Sequence, residues 1–176
     1  NPADFTLTTS PTATNATVGT TVYFVVTNPN YNPVFGSEQI VINKRVVALT
    51  TATASKEYDT LPLTDATWSF DSTGNQGFLA GQGFATSSAT GTITNVGTTD
   101  NTFSYTLNGV TAASNYTIQV TKGKLTVTAS NDLSVSATDV TKKYDGSAYG
   151  VSASANVPSG TTIRYSETYS ANPANY

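Results

Sequence analysis

The chain contains no histidine and no cysteine, and this restricts its chemistry more than any motif it carries. Without imidazole or thiol there is no Ser-His-Asp triad, no cysteine nucleophile, and no nitrogen or sulfur ligand of the kind that holds zinc. Carboxylates, amines and aromatic rings remain. Glu57 and Asp59 stand two positions apart, which on a strand puts both on one face, as the paired carboxylates of glycoside hydrolysis would require. A simpler reading has Tyr58 turned inward between them and Asp59 opening a turn. It explains the residues without chemistry, so the chain is read as a non-enzyme. Asp71, Asp100 and Asp132 lie in turn-like stretches beside Asn or Ser, where oxygens can gather around Ca²⁺. No Asp-x-Asp-x-Asp spacing occurs, and Asp forms turns unaided, so neither metal nor other cofactor is expected. Lys44 or Lys124 could meet an Asn in an isopeptide bond, but the buried acid such a bond needs is not legible from sequence.

The aromatic residues offer binding instead of catalysis. Trp68 is the only tryptophan, and with Phe78 and Phe84 it falls in a Gly-rich stretch. These three form either part of a core or an exposed platform on which sugar rings could stack. Tyr58 and Tyr144 recur in one kind of turn, and Tyr31 and Tyr116 follow Asn in another. Recurrence at matching places favours a structural role for the four tyrosines, anchoring loops to small cores with the hydroxyl at the edge.

The elements that position these residues read as strands. Segments with a period near two, bounded by turn residues, occur at 21–26, 39–42, 45–49, 102–107, 116–120 and 124–128, with a weaker candidate at 161–165. No helical stripe lasts three turns, and at most Val110–Ser114 makes one turn of helix. Charged residues are 11% of the chain, well under the roughly 25% of ordinary globular domains. Thr, Ser, Asn, Ala and Val fill the gap, as suits strands and turns with a neutral, hydroxyl-rich surface. The net charge of −3 gives no basic footprint for nucleic acid or anionic lipid, and no apolar run is long enough to insert in a membrane. Seven Phe and ten Tyr argue for a folded chain over a disordered one.

The chain also repeats itself. Lys56-Glu57-Tyr58-Asp59 is answered 86 positions later by Lys142-Lys143-Tyr144-Asp145-Gly146. Asn95-Val96-Gly97-Thr98 is answered by Thr17-Val18-Gly19-Thr20, and Asn115-Tyr116 with Leu125-Thr126-Val127 by Asn30-Tyr31 with Ile40-Val41-Ile42. Asn1–Phe5 is echoed by Asn172–Tyr176, a period of 171. These matches divide the chain into the C-terminal half of a module at 1–43, an intact module at 44–130 and the N-terminal half of a module at 131–176. Each module is expected to be a small antiparallel immunoglobulin-like β-sandwich, with a β-grasp-like sheet and one short helix as the alternative. A half-module of this size buries too little surface to stand alone.

Together, Lys-x-Tyr-Asp(-Gly), Val-Gly-Thr, Asn-Tyr-Thr-Ile and the final Gly-x-Leu-Thr-Val strand resemble the MBG/YDG repeats of large bacterial surface adhesins, among them mucus-binding proteins. Thr60 departs from the pattern, standing where Gly146 stands in the second copy. The resemblance implies export, display at the cell surface through other parts of a parent chain, and a stalk or adhesive role. The expected partners are neighbouring copies of the repeat, head to tail, with host or environmental glycans as the alternative.

Overall fold

A computed structural model describes residues 9–172 and 174; the terminal echo of Asn1–Phe5 and Asn172–Tyr176 lies largely outside them. The protein is mainly β and divides into two compact units, with the boundary between Thr128 and Ala129.

The first unit begins with a hairpin of β1 (Thr17–Asn28) and β2 (Tyr31–Ile42). Its turn is set by Asn28, whose Oδ1 accepts the Asn30 N–H at 2.9 Å. Then follow β3 (Arg45–Thr51), β4 (Ala54–Glu57), β5 (Leu63–Thr64), β6 (Trp68–Phe70), β7 (Phe84–Ala89), β8 (Thr92–Ile93), β9 (Gly97–Asp100) and β10 (Phe103–Leu107). A 3₁₀ turn at Ala113–Asn115 precedes β11 (Tyr116–Thr121) and β12 (Lys124–Thr128). Two three-stranded sheets, ordered β11-β3-β6 and β4-β12-β9, carry the core, with the pairs β7–β10 and β5–β8 beside them.

Two of the pairings are parallel, which alternation in the sequence did not signal. Arg45–Thr50 runs alongside Tyr116–Thr121, and Ala54–Glu57 alongside Leu125–Thr128. The chain from β3 into β4 and the chain from β11 into β12 therefore change sheets together. Val47, Ala48 and Leu49 are consecutive buried residues, as expected of a central strand covered on both faces. β12 alternates instead, burying Leu125 and Val127 and exposing Lys124 and Thr128.

The crossover between the sheets is tied by polar groups. Asn101 is fully buried. Its Nδ2 donates to the carbonyls of Ala52 and Asp65 at 3.0 and 2.9 Å, and its Oδ1 accepts from Gly91 N–H at 3.0 Å. Thr51 Oγ1 donates to the Asn101 carbonyl at 2.6 Å and accepts from Gly123 N–H at 2.9 Å. A Cβ at Gly123 would lie 2.2 Å from the Ala52 carbonyl oxygen, so only glycine lets the two crossing chains approach this closely.

Among its described residues the second unit holds one short hairpin, β13 (Val135–Ala137) with β14 (Ala153–Ala155). Residues 131–150 are all exposed. The strand expected at 161–165 does not form, and Ile163 is half-buried.

Candidate functional site

The aromatic residues singled out from sequence converge on one side of residues 45–128. β3 holds β6 antiparallel, with Thr51 opposite Trp68 and Leu49 opposite Phe70, and β10 holds β7, with Leu107 opposite Phe84. These ladders bring Trp68 edge-on to Phe70, Phe84 and Phe103, with ring centroids 5.0, 5.7 and 5.1 Å apart. Phe78 meets Phe84 at 5.0 Å and Tyr116 at 4.9 Å, and Tyr105 leans on Phe84 at 5.0 Å. Edge-to-face geometry is the favourable arrangement for aromatic pairs.

Beside this cluster lies an open cleft of about 470 Å³ whose walls include Trp68, Phe70, Phe78, Phe84, Asn75 and Gln82. Its polar groups are partly engaged. Gln82 Oε1 accepts from the Tyr116 hydroxyl at 2.6 Å, and that hydroxyl accepts from Leu79 N–H at 3.2 Å. Asn75 Oδ1 accepts from Ala48 N–H at 3.2 Å and Gly77 N–H at 2.9 Å. The cleft can take a small neutral ligand against aromatic walls; it holds no charged group to attack one. Phe78, Phe84 and Trp68 are half-buried, not exposed, because ring packs on ring. The cluster is a satellite of the core, whose centre is Val47, Leu49, Leu125 and Val127.

The recurring tyrosines part company. Tyr116 is buried and bonded, as an anchor should be, whereas Tyr31 is 76% exposed. Tyr58 is exposed at the end of β4, with its N–H on the Thr128 carbonyl at 2.9 Å, and Tyr144 is 98% exposed. Tyr58 is thus partly covered, at 37% exposure, while Tyr144 stands in solvent.

Around those tyrosines the turns themselves are alike. Asp59 Oδ1 accepts from Leu61 N–H at 3.0 Å, and Asp145 Oδ1 from Ser147 N–H at 2.9 Å. The intervening Thr60 and Gly146 both take left-handed backbone, φ 72° and 80°, and Thr60 is the one non-glycine residue with positive φ among the described residues. Gly97 and Gly19 match in the same way, at φ 149° and 146°.

Asp59 and Asp100 each sit in a local ion pair. Lys56 Nζ, 2.6 Å away, and the Leu61 N–H hold the Asp59 carboxyl below its ordinary range. Lys124 and Lys122, at 2.6 and 3.4 Å, do the same for Asp100. Lys124 is thereby committed to a solvated ion pair instead of a buried amide bond. Asp71 accepts from the Thr50 hydroxyl at 2.7 Å, and among the described residues no three acidic groups come together as metal ligands. Asn115 spends its amide on the Ala16 N–H and on Asn15, at 2.8 and 3.0 Å, fastening residues 15 and 16 to the turn before β11.

Sequence reasoning missed Phe70, Asn75 and Gln82 in the cleft, Phe103 in the ring cluster and Asn101 in the crossover. The alternation of Phe103 and Tyr105 was a usable signal for the ring cluster. Nothing local marks Asn101, whose partners lie at Ala52, Asp65 and Gly91. Set against known proteins, the chain finds no match among family models, curated proteins or solved structures.

Proposed function

We propose that this chain is a non-catalytic, load-bearing repeat segment of a bacterial surface adhesin or extracellular filament, a stalk that carries other parts of an assembly away from the cell. The observation that carries the reading is the parallel pairing of the first and last strands of residues 45–128. Arg45 lies beside Tyr116, where the last strands begin, and Thr128 beside Glu57, where the first strands end. A pull on Arg45 and Thr128 thus slides each strand pair along its own axis. Both ladders are loaded at once, whereas a hairpin pulled from its open end loses one bond at a time. The polar crossover at Asn101, Thr51 and Gly123 sits between the two ladders and resists the same motion. A neutral Thr/Ser/Asn-rich surface and the resemblance to MBG/YDG repeats agree with display outside the cell, in contact with further copies of the repeat.

Single-molecule stretching of the chain between marker domains tests this. Residues 45–128 should unfold in one high-force event that releases roughly 280–300 Å of contour, at about 3.3–3.6 Å per residue. Unfolding at a force no higher than that of opening the β1–β2 hairpin would remove the load-bearing role.

The open aromatic cleft favours a second reading, an adhesive module that binds glycan or mucin sugars on Trp68, Phe78 and Phe84. Since Trp68 is the only tryptophan, its fluorescence reads the site directly. A saturable shift on titration with neutral oligosaccharides would support this reading, and an unchanged spectrum would dismiss it.

A further inference from the structure

The cleft beside Trp68 offers its polar groups in one sense. Asn75 Oδ1 spends its lone pairs on the Ala48 and Gly77 N–H groups, at 3.2 and 2.9 Å. Leu79 N–H donates to the Tyr116 hydroxyl at 3.2 Å, and that hydroxyl gives its own proton to Gln82 Oε1 at 2.6 Å. The Gly77 carbonyl accepts from Arg45 Nε at 3.1 Å, and the Gly83 carbonyl from Asn108 N–H at 2.9 Å. These oxygens are turned to the protein. The N–H groups beside them are not: Asn75 Nδ2, Gln82 Nε2 and the Trp68 indole N–H have no partner among the described residues, and each is open to solvent. Ser87 brings the wall a hydroxyl, which can give or take.

The wall is also held in place without a ligand. The Gln76 and Gly77 N–H groups both donate to the Val46 carbonyl, at 2.8 and 3.2 Å, and Gln76 Oε1 accepts from Val46 N–H at 2.8 Å. Together with the Asn75 bond to Ala48, these stitch residues 75–77 to β3, the central strand of its sheet. The rings of Trp68, Phe70, Phe78 and Phe84 fix one another. A wall ordered in advance loses little freedom on binding.

The ligand that matches is neutral, has flat apolar faces for the rings, and offers acceptors with few donors of its own. No charged residue lines the cleft, so nothing there selects a charge. An ordinary peptide brings an N–H with every residue, and a sugar brings a proton with every hydroxyl. In this cleft most of those donors would leave water without meeting an acceptor, which is costly. Proline has a carbonyl and no N–H. A run of prolines adopts the polyproline II helix, which has no internal hydrogen bonds and keeps its backbone open to solvent. Aromatic-lined grooves suit such a helix, which is ordered before it binds.

We propose that the cleft binds a proline-rich segment of a partner protein in polyproline II form, with proline rings against Trp68, Phe78 and Phe84 and carbonyls on the free N–H groups of Asn75, Gln82 and Trp68. The site is the one the glycan reading uses, with an occupant of a different class. It is separate from the load that the parallel strands bear.

Octaproline with both ends blocked is the probe, titrated into the full chain. The emission of Trp68, the only tryptophan, should shift saturably. A blocked Ser-Gly repeat of equal length, which has an N–H at every residue, should leave it unmoved. N75D and Q82E are the deciding variants. Each keeps the oxygen that its neighbours use and puts a second oxygen in place of the free NH₂. A proline carbonyl cannot face that oxygen, so each variant should bind octaproline at least about tenfold more weakly. A sugar hydroxyl can turn its proton toward it, so a glycan would stay bound. Thermal melts followed by Trp68 emission check that each variant folds; if N75D melts early, Q82E carries the test, since Gln82 holds no backbone N–H of the wall. No shift with octaproline, or equal binding by Q82E and the unmodified chain, would overturn the proposal. Saturable binding of maltohexaose with octaproline inert would also overturn it, and would leave the glycan reading standing. Octaproline bound and maltohexaose inert would do the reverse.

Discussion

Residues 45–128 and the segments that flank them carry the same motifs and bury quite different fractions of them. Leu49 is fully buried while Val135, its counterpart, is 67% exposed; Tyr116 is 5% exposed and Tyr31 76%. The turns do not share this contrast. Thr60 and Gly146 have nearly the same φ, as do Gly97 and Gly19, and each Asp closes the same two-residue loop. Local geometry follows from a few residues and survives the loss of neighbours: an Asp carboxylate reaches its own turn's N–H whatever lies beyond. Burial does not survive, because it needs strands about 70 positions away, as Val47 needs Ile118. The flanking segments thus share these turns with residues 45–128 and bury less at the matching positions.

Core truncation in both places probes that contrast most strongly. Leu49→Ala should lower the stability of residues 45–128 by about 2–5 kcal/mol, because a fully buried leucine leaves both lost transfer energy and a cavity. Val135→Ala should cost within about 0.5 kcal/mol in the dilute chain, as for other exposed substitutions. Denaturant melts followed by Trp68 emission read the first; backbone NMR shifts of 133–157 read the second. If the two losses were equal, Val135 would be buried in solution and the contrast would be wrong.

Exchanging the turn residues has a smaller effect, of opposite sign in the two regions. Thr60 is β-branched and sits in left-handed backbone, which costs a non-glycine residue roughly 1 kcal/mol. Thr60→Gly relieves that strain and gives back part of the gain through the greater freedom of glycine in the unfolded chain. The net expectation is a rise of a few degrees in the melting temperature of residues 45–128. Gly146→Thr places the same strain in the exposed turn. It should weaken protection of the Ser147 amide against exchange and leave the melting of the module unmoved. A lower melting temperature for Thr60→Gly would mean that the threonine side chain contributes more than its backbone costs.

Much of this was legible because strand alternation and turn chemistry are local. The strands at 116–120 and 124–128 stand almost where their alternation places them, and 45–49 carries the core as its Val and Leu promise. Partner choice was not legible. Nothing within Arg45–Thr51 says that it will lie parallel to Tyr116–Thr121, and that ladder is where the load-bearing reading comes from. The crossover was equally hidden, since Asn101 resembles any turn asparagine until the carbonyls of Ala52 and Asp65 arrive. At the aromatic cleft the sequence named Trp68, Phe78 and Phe84 and left their exposure open. Ring packing decided it, through Phe70, Phe103 and Tyr105. Very short strands such as Leu63–Thr64 and Thr92–Ile93 hold two residues each, too few to show any period.

Titration should give the smallest effect and the finest distinction between the two turns. Asp59 and Asp145 both have carboxyls held below the ordinary range, but by different first causes: the Lys56 ammonium for Asp59 and the Tyr149 hydroxyl for Asp145. A carboxyl whose folded pKa lies below its unfolded value contributes stability that is full above the unfolded value and fades as pH falls through the folded one. Both turns should therefore hold at neutral pH and loosen in acid. The Asp145 turn has a second limit, because the same bond pushes the Tyr149 phenol up. A group whose folded pKa is raised contributes below its unfolded pKa and loses that contribution as pH rises through the folded one, so this bond also fails in alkali. Carboxyl carbon shifts in an NMR titration separate the cases. Lys56→Gln should raise the Asp59 pKa and leave Asp145 in place, while Tyr149→Phe should do the reverse. Salt should weaken the Lys56 contribution and spare the hydroxyl bond, since both sites are open to solvent and only the ion pair is screened. If Lys56→Gln left Asp59 unmoved, the Leu61 N–H would set its titration and neither turn would depend on an ion pair.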